Sequence, residues 1–180
     1  MGYVLILGGA RSGKSALADR MGRAAEMPVT FIATAAAGDA EMVFRIERHR
    51  ASRPSDWMTL EAPLDLLAAV RATGPASFLI VDCLTLWVSN LMEAGHGADE
   101  IQRAADALAE ELRTRHGVVV SNEVGLGIVP ANGLARSFRD VLGAVNAKFA
   151  ARAERSLFMV AGRALDLGPV EPIDGGLERD

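Results

Sequence analysis

Along the chain, short unbroken apolar runs alternate with longer stretches in which apolar residues recur every three or four positions. Tyr3–Leu7 (YVLIL), Val29–Ala33 (VTFIA), Phe78–Val81 (FLIV), Val118–Val120 (VVV) and Leu157–Val160 (LFMV) form the first group. A run with no polar alternation is what a strand buried on both faces requires. The second group predicts helices over 14–26, 41–50, 64–72, 84–94, 98–115 and 134–154. The last is the clearest. Leu134, Phe138, Val141, Val145 and Phe149 follow one another at spacings of 4, 3, 4 and 4 and line one face. Asn132 and Gly133 stand where a cap belongs. Strands alternating with helices imply βαβ units, and hence an α/β fold with a mostly parallel sheet flanked by helices. Ligands of such folds gather outside the carboxyl ends of the strands.

There is no internal repeat. Past Gly162 the composition turns to proline, glycine and acid (DLGPVEPIDGGLERD). We therefore expect one domain over 1–162 and a poorly ordered tail over 163–180. The 180 residues suit one domain; 50% are hydrophobic and only 5% aromatic, so the core must be aliphatic. Nineteen basic residues against 23 acidic ones leave a charge of −4, which argues against a nucleic-acid partner. The single cysteine, Cys83, excludes an intramolecular disulfide framework and a cysteine zinc cage. The start of the chain lacks a basic n-region, and Phe78–Met92 contains Asp82 and is too short to span a bilayer. A cytoplasmic protein without membrane insertion is expected.

The chemistry begins at the first turn. Gly8, Gly9, Ala10, Arg11, Ser12, Gly13, Lys14 and Ser15 match G-x-x-x-x-G-K-[ST], with a strand before and a helix after. Glycines let backbone N–H groups turn inward around phosphate oxygens, and the helix N-terminus adds its positive end. Lys14 is expected to reach the β- and γ-phosphates and Ser15 to ligate Mg²⁺. A nucleoside triphosphate site needs a second oxygen ligand for that metal at a neighbouring strand end. Asp82, closing Phe78–Val81, supplies it, although an Asp there also fits as the cap of the next helix. Glu123 follows the Val118–Val120 strand and suits three roles: base, metal ligand or loop-fixing group. Switch-GTPase features are missing. Asn146-Ala147-Lys148-Phe149 lies within a helix and fails N-K-x-D, and Asp140 to Gly143 lies in the same helix.

Residues 45–53 (RIERHRASR) place four arginines around His49 in a chain of negative charge. Neighbouring guanidinium groups disfavour imidazolium and keep His49 neutral and nucleophilic. On these residues alone the plainer reading is the stronger, a packed or solvated histidine on an arginine-rich face. His96, in a loop, and His116, at a helix end, read as structural.

Taken together, several segments resemble a known family. They are GGARSGKS, Ala33-Thr34-Ala35, Asp39–Met42 through Arg45-Ile46 to His49-Arg50, then Arg53-Pro54, Trp57, Thr59 and Glu61. Asn122–Pro130 (NEVGLGIVP), Ala135-Arg136 and Phe138–Asp140 complete the set. The family is the bifunctional adenosylcobinamide kinase / adenosylcobinamide-phosphate guanylyltransferase of cobalamin biosynthesis, and the likeness covers about residues 2–162. It implies a RecA-like P-loop fold and two reactions. A nucleoside triphosphate, ATP or GTP, phosphorylates adenosylcobinamide. GTP then guanylylates a histidine, whose GMP passes to adenosylcobinamide phosphate to give adenosylcobinamide-GDP. The matching histidine is His49. The family's nucleotide contacts fall on Gly8 to Ser15, on Thr34, Ala35 and Ala36, on Arg50, Ala51, Ser52 and Arg53, on Glu61 and on Asp82. Catalysis falls to His49 and Lys14, and the metal to Ser15 and Asp82. The family also implies a homo-oligomer, with a trimer as the suggested assembly. Some relatives carry two adjacent histidines where this chain has Arg48 and His49. Two other readings stay open on the residues: a small-molecule P-loop kinase without guanylyl transfer, and a non-catalytic nucleotide-binding regulatory module.

Overall fold

The apolar runs become the middle of one sheet. The computed structural model describes residues 2–36, 44, 47, 50, 51 and 53–169. Strand β1 (Tyr3–Gly8) lies between β5 (Gly117–Val120) and β6 (Arg155–Val160), parallel to both. The seven strands run β3-β2-β4-β5-β1-β6-β7, with β2 at Val29–Ala33, β3 at Met58–Glu61, β4 at Phe78–Asp82 and β7 at Arg163–Leu167. Among these described strands only β7 is antiparallel.

Strand pleating sends successive side chains to opposite faces, and two cores follow from it. Tyr3, Leu5 and Leu7 enter the larger core, with Ile32, Leu79, Val81 and Val119. Helices α2 (Leu66–Ala72), α3 (Leu84–Glu93), α4 (Ala98–Leu112) and α5 (Gly133–Ala150) cover that face. Ile6, Phe31, Ile80, Val118 and Val120 enter the other core, beneath Ala18 of α1 (Lys14–Arg23). Each fully buried Leu or Ile contributes about 1.5–3 kcal/mol. Tyr3 anchors the larger core further: its hydroxyl donates to Phe149 O at 2.6 Å.

The helix expected over 41–50 falls largely outside the described residues; Phe44, Glu47, Arg50 and Ala51 are helical. Two strands escaped the apolar pattern, β3 and β7. Both are edge strands, and β7 is exposed along its whole length, so neither needs a continuous apolar run. Part of the expected tail is a strand, because β6 and β7 form a hairpin from Ser156↔Leu167 to Val160↔Arg163; residues 170–180 lie outside the described residues. Leu134 corrects the predicted core face. Val141, Val145 and Phe149 are buried as expected, but Leu134 is 69% exposed. It stands in the first turn of α5, which Asn132 caps through Leu134 N at 2.7 Å, and it lines an open groove with Met92 and Phe138.

Candidate active site

The parallel strands deliver their chemistry to one edge. The turn after β1 needs unusual backbone angles, with φ of 148° at Gly8 and 102° at Gly13. A side chain at Gly8 would also put its Cβ 2.4 Å from Met159 O, so only glycine fits. Gly162 N donates to Ser12 O at 3.0 Å, which ties the turn to the β6–β7 hairpin. Helix α1 then starts at Lys14 without a side-chain cap, leaving its first N–H groups aimed at the turn.

Lys14 is 8% exposed, and its Nζ donates to Gly8 O at 3.0 Å and Gly9 O at 2.7 Å. Burial pulls its pKa down, while Cys83 and Asp82 push it back up. Ser15 Oγ donates to Asp82 Oδ2 at 3.0 Å, joining the turn to the end of β4. The N-cap of α3 is Cys83 and carries no side-chain cap bond, so the capping role considered for Asp82 is not the one adopted. A hydroxyl and a carboxylate meeting here are hard oxygen donors of the kind magnesium takes, alongside phosphates and water. The pair fits that ion. Among the described residues no cluster of three His, Cys, Asp or Glu could form a metal cage.

Beside Asp82 in the register lies Ala33, and beside Ala33 lies Glu61. Thr34 follows directly. Its buried hydroxyl donates to Cys83 O and accepts from Cys83 N, each at 2.7 Å, while Asn90 Nδ2 holds its carbonyl at 2.8 Å. Ala35 and Ala36 carry the chain outward from there to the surface. Arg53 lays its guanidinium over Phe31, 3.5 Å from the ring centroid. Burial lowers its pKa, and the charges of Asp82 and Asp19 oppose that, which places the cation within electrostatic reach of Asp82. Arg50 and Glu61 pair at 3.7 Å, both exposed.

Of the expected residues, Gly8 to Ser15, Thr34 to Ala36, Arg53, Glu61 and Asp82 gather at the carboxyl edge, and Arg50 joins through Glu61. His49 and Ser52 lie outside the described residues. His96 pairs with Glu100 at 2.7 Å, as a structural histidine does. Sequence reasoning missed a buried polar cluster of Thr85, Ser121 and Asn146 behind this edge. A lone Asn on the apolar stripe of α5 was the available signal.

The match to known proteins agrees with this arrangement. Residues 4–167 match the family model described as cobinamide kinase / cobinamide phosphate guanyltransferase. The chain belongs to this family. It is 48% identical over 169 residues to the bifunctional adenosylcobalamin biosynthesis protein CobP of Pseudomonas aeruginosa, covering 91% of this chain and 95% of that one. It is 38% identical over 176 residues to the bifunctional adenosylcobalamin biosynthesis protein CobU of Salmonella typhimurium, covering 88% and 96%. Membership in the cobinamide kinase / guanyltransferase family makes the chain a nucleotide-using enzyme. The RadB recombinase superposes with a TM-score of 0.50 at 14% identity, over 87% of this chain and 73% of that one. That likeness identifies a RecA-like P-loop fold. No helix among the described residues is long and apolar enough to cross a membrane.

Proposed function

We propose that this chain phosphorylates adenosylcobinamide with ATP or GTP and then transfers GMP from GTP to adenosylcobinamide phosphate through His49. The observation that carries the reading is the meeting of Ser15 and Asp82 beside buried Lys14, in a chain of this family. In the kinase step the amides of Gly8 to Ser15 and the Lys14 ammonium hold the phosphates in line with the acceptor hydroxyl. Ser15 and Asp82 would hold Mg²⁺, which when bound neutralises charge developing on the phosphates.

In the transferase step an imidazole nitrogen of His49 bonds to the α-phosphorus of GTP. The bond to the bridging oxygen breaks, and pyrophosphate leaves with that electron pair. A phosphate oxygen of adenosylcobinamide phosphate then attacks the same phosphorus, and the P–N bond breaks to restore His49. Two steps let one site activate GTP before the bulky corrinoid arrives. Arg50, Ala51, Ser52 and Arg53 flank that nucleotide in this reading, with Thr34, Ala35 and Ala36 beside it. Glu61 accepts from a guanine or ribose donor.

Leu126, Ile128, Val129 and Leu134 expose apolar side chains, Ile128 at 98%, which supports a homo-oligomer; the trimer is the form that the family likeness suggests. A cytoplasmic setting, where nucleoside triphosphates are supplied, fits this reading.

Incubation with α-labelled GTP and Mg²⁺, then denaturation, tests the transferase half. Acid-labile, base-stable label on the protein is expected, and none on His49→Ala. Phosphate transfer to cobinamide without label would leave a plain kinase. Nucleotide binding without either turnover would leave a regulatory module.

A further inference from the structure

Three polar side chains are buried in an otherwise aliphatic region, and each is bonded so as to fix one short segment. Ser121 Oγ donates to Asn146 Oδ1 at 2.7 Å, and Asn146 Nδ2 donates to Asn122 O at 3.0 Å. Asn122 N donates to Thr85 Oγ1 at 2.7 Å. Burying such groups costs free energy unless every one is satisfied, so a fully bonded cluster specifies geometry. What it specifies is the path of residues 121–123. Ser121 N reaches Ile6 O at 2.9 Å, and Glu123 N reaches Gly8 O at 3.1 Å. Gly8 O is also the acceptor of Lys14 Nζ. The backbone N–H of Glu123 therefore shares an acceptor with the Lys14 ammonium and lies within two hydrogen-bond lengths of it.

Three acids now stand at this edge: Glu61, which pairs with Arg50, and Asp82 and Glu123, whose bonding divides them. Asp82 accepts from Ser15, on the side of the metal ligand. Glu123 accepts from Gly125 N of its own loop. Phosphoryl transfer to an alcohol needs a group to take the hydroxyl proton as the new bond forms.

Resting on the kinase reading above, we propose that Glu123 is that base. The substrate O–H bond breaks and its proton passes to the Glu123 carboxylate. The oxygen bonds to the γ-phosphorus, and the γ-phosphorus bond to the β-bridging oxygen breaks, the electron pair leaving with the nucleoside diphosphate.

Glu123→Gln separates this role from loop fixing, because the amide oxygen still accepts from Gly125 N but takes no proton. Steady-state phosphorylation of cobinamide by ATP or GTP is measured for the wild type, Glu123→Gln and Glu123→Ala. Both variants are expected to lose about 10²- to 10⁴-fold in kcat, with little change in nucleotide KM. Guanylylation of the protein, which needs no acceptor hydroxyl, should persist in both. Glu123→Gln at the wild-type rate, or rescue by Gln of a defect in Ala, overturns the proposal and leaves a loop-fixing residue. Loss of both half-reactions together also overturns it. A wild type that phosphorylates no cobinamide refutes the kinase reading itself, and this proposal with it.

Discussion

Two buried cations stand at opposite ends of the sheet, and both are bonded to backbone carbonyls. At the amino end, Arg115 sends Nη1 to Val70 O at 3.1 Å, and Nη2 to Thr73 Oγ1 at 2.6 Å and Gly74 O at 2.8 Å. It thereby adds a side-chain clamp where helix α2 ends, on carbonyls that also accept from Thr73 N and Ser77 N. At the carboxyl end, Lys14 binds Gly8 O and Gly9 O, in the glycine turn that we propose receives phosphate. The guanidinium is a rigid fork committed to a fixed set of acceptors, whereas the ammonium is compact and its three donors reorient freely. The same interaction is therefore permanent at one end and exchangeable at the other.

The most severe test removes the exchangeable cation. Lys14→Ala should lower phosphorylation of cobinamide by about 10²- to 10³-fold in kcat/KM. Its Tm should hardly fall, because burial already disfavours that charge. Arg115→Ala should do the reverse, costing about 3 kcal/mol in chemical denaturation with kcat unchanged in the folded fraction. Equal loss of stability in both variants would erase the distinction.

A third buried group sharpens the carboxyl end. Burial pushes the Cys83 thiol up to about 11, from an ordinary value of 9.0. The folded state keeps a proton that the unfolded chain releases, so this contribution is complete below pH 9 and is lost as pH rises to about 11. Lys14 has the opposite sign, its burial penalty fading as pH climbs. Between pH 8.5 and 11 the wild type should lose about 2–3 kcal/mol more than Cys83→Ala, read from denaturation midpoints. The smallest effect belongs to Ser12, whose buried Oγ has no hydrogen-bond partner among the described residues. Ser12→Ala should be neutral or raise stability by up to about 1 kcal/mol, measured by thermal melting.

The core strands were legible because burial on both faces demands unbroken apolar runs, as in Tyr3–Leu7 and Phe78–Val81. The meeting of GGARSGKS with Asp82 was legible because a glycine turn opening a helix and an acid closing a neighbouring strand reach the same sheet edge, where Ser15 bonds Asp82. Edge strands β3 and β7 were not, since pairing on one side asks little of their side chains. Leu134 misled because periodicity gives a face but not how far along a helix the core extends. The hold of Thr34 on Cys83 joins residues far apart in sequence, and only the pairing of β2 with β4 brings them together.

That order also governs how the protein emerges from the ribosome. Tyr3 must wait for Gly117 to gain its first neighbour in the sheet and for the β6 segment to gain its second. The phosphate turn waits longer still, for Gly162 to hold Ser12. A nascent chain thus exposes the glycine turn of residues 8–13 long before residue 162 arrives to complete the cradle around it.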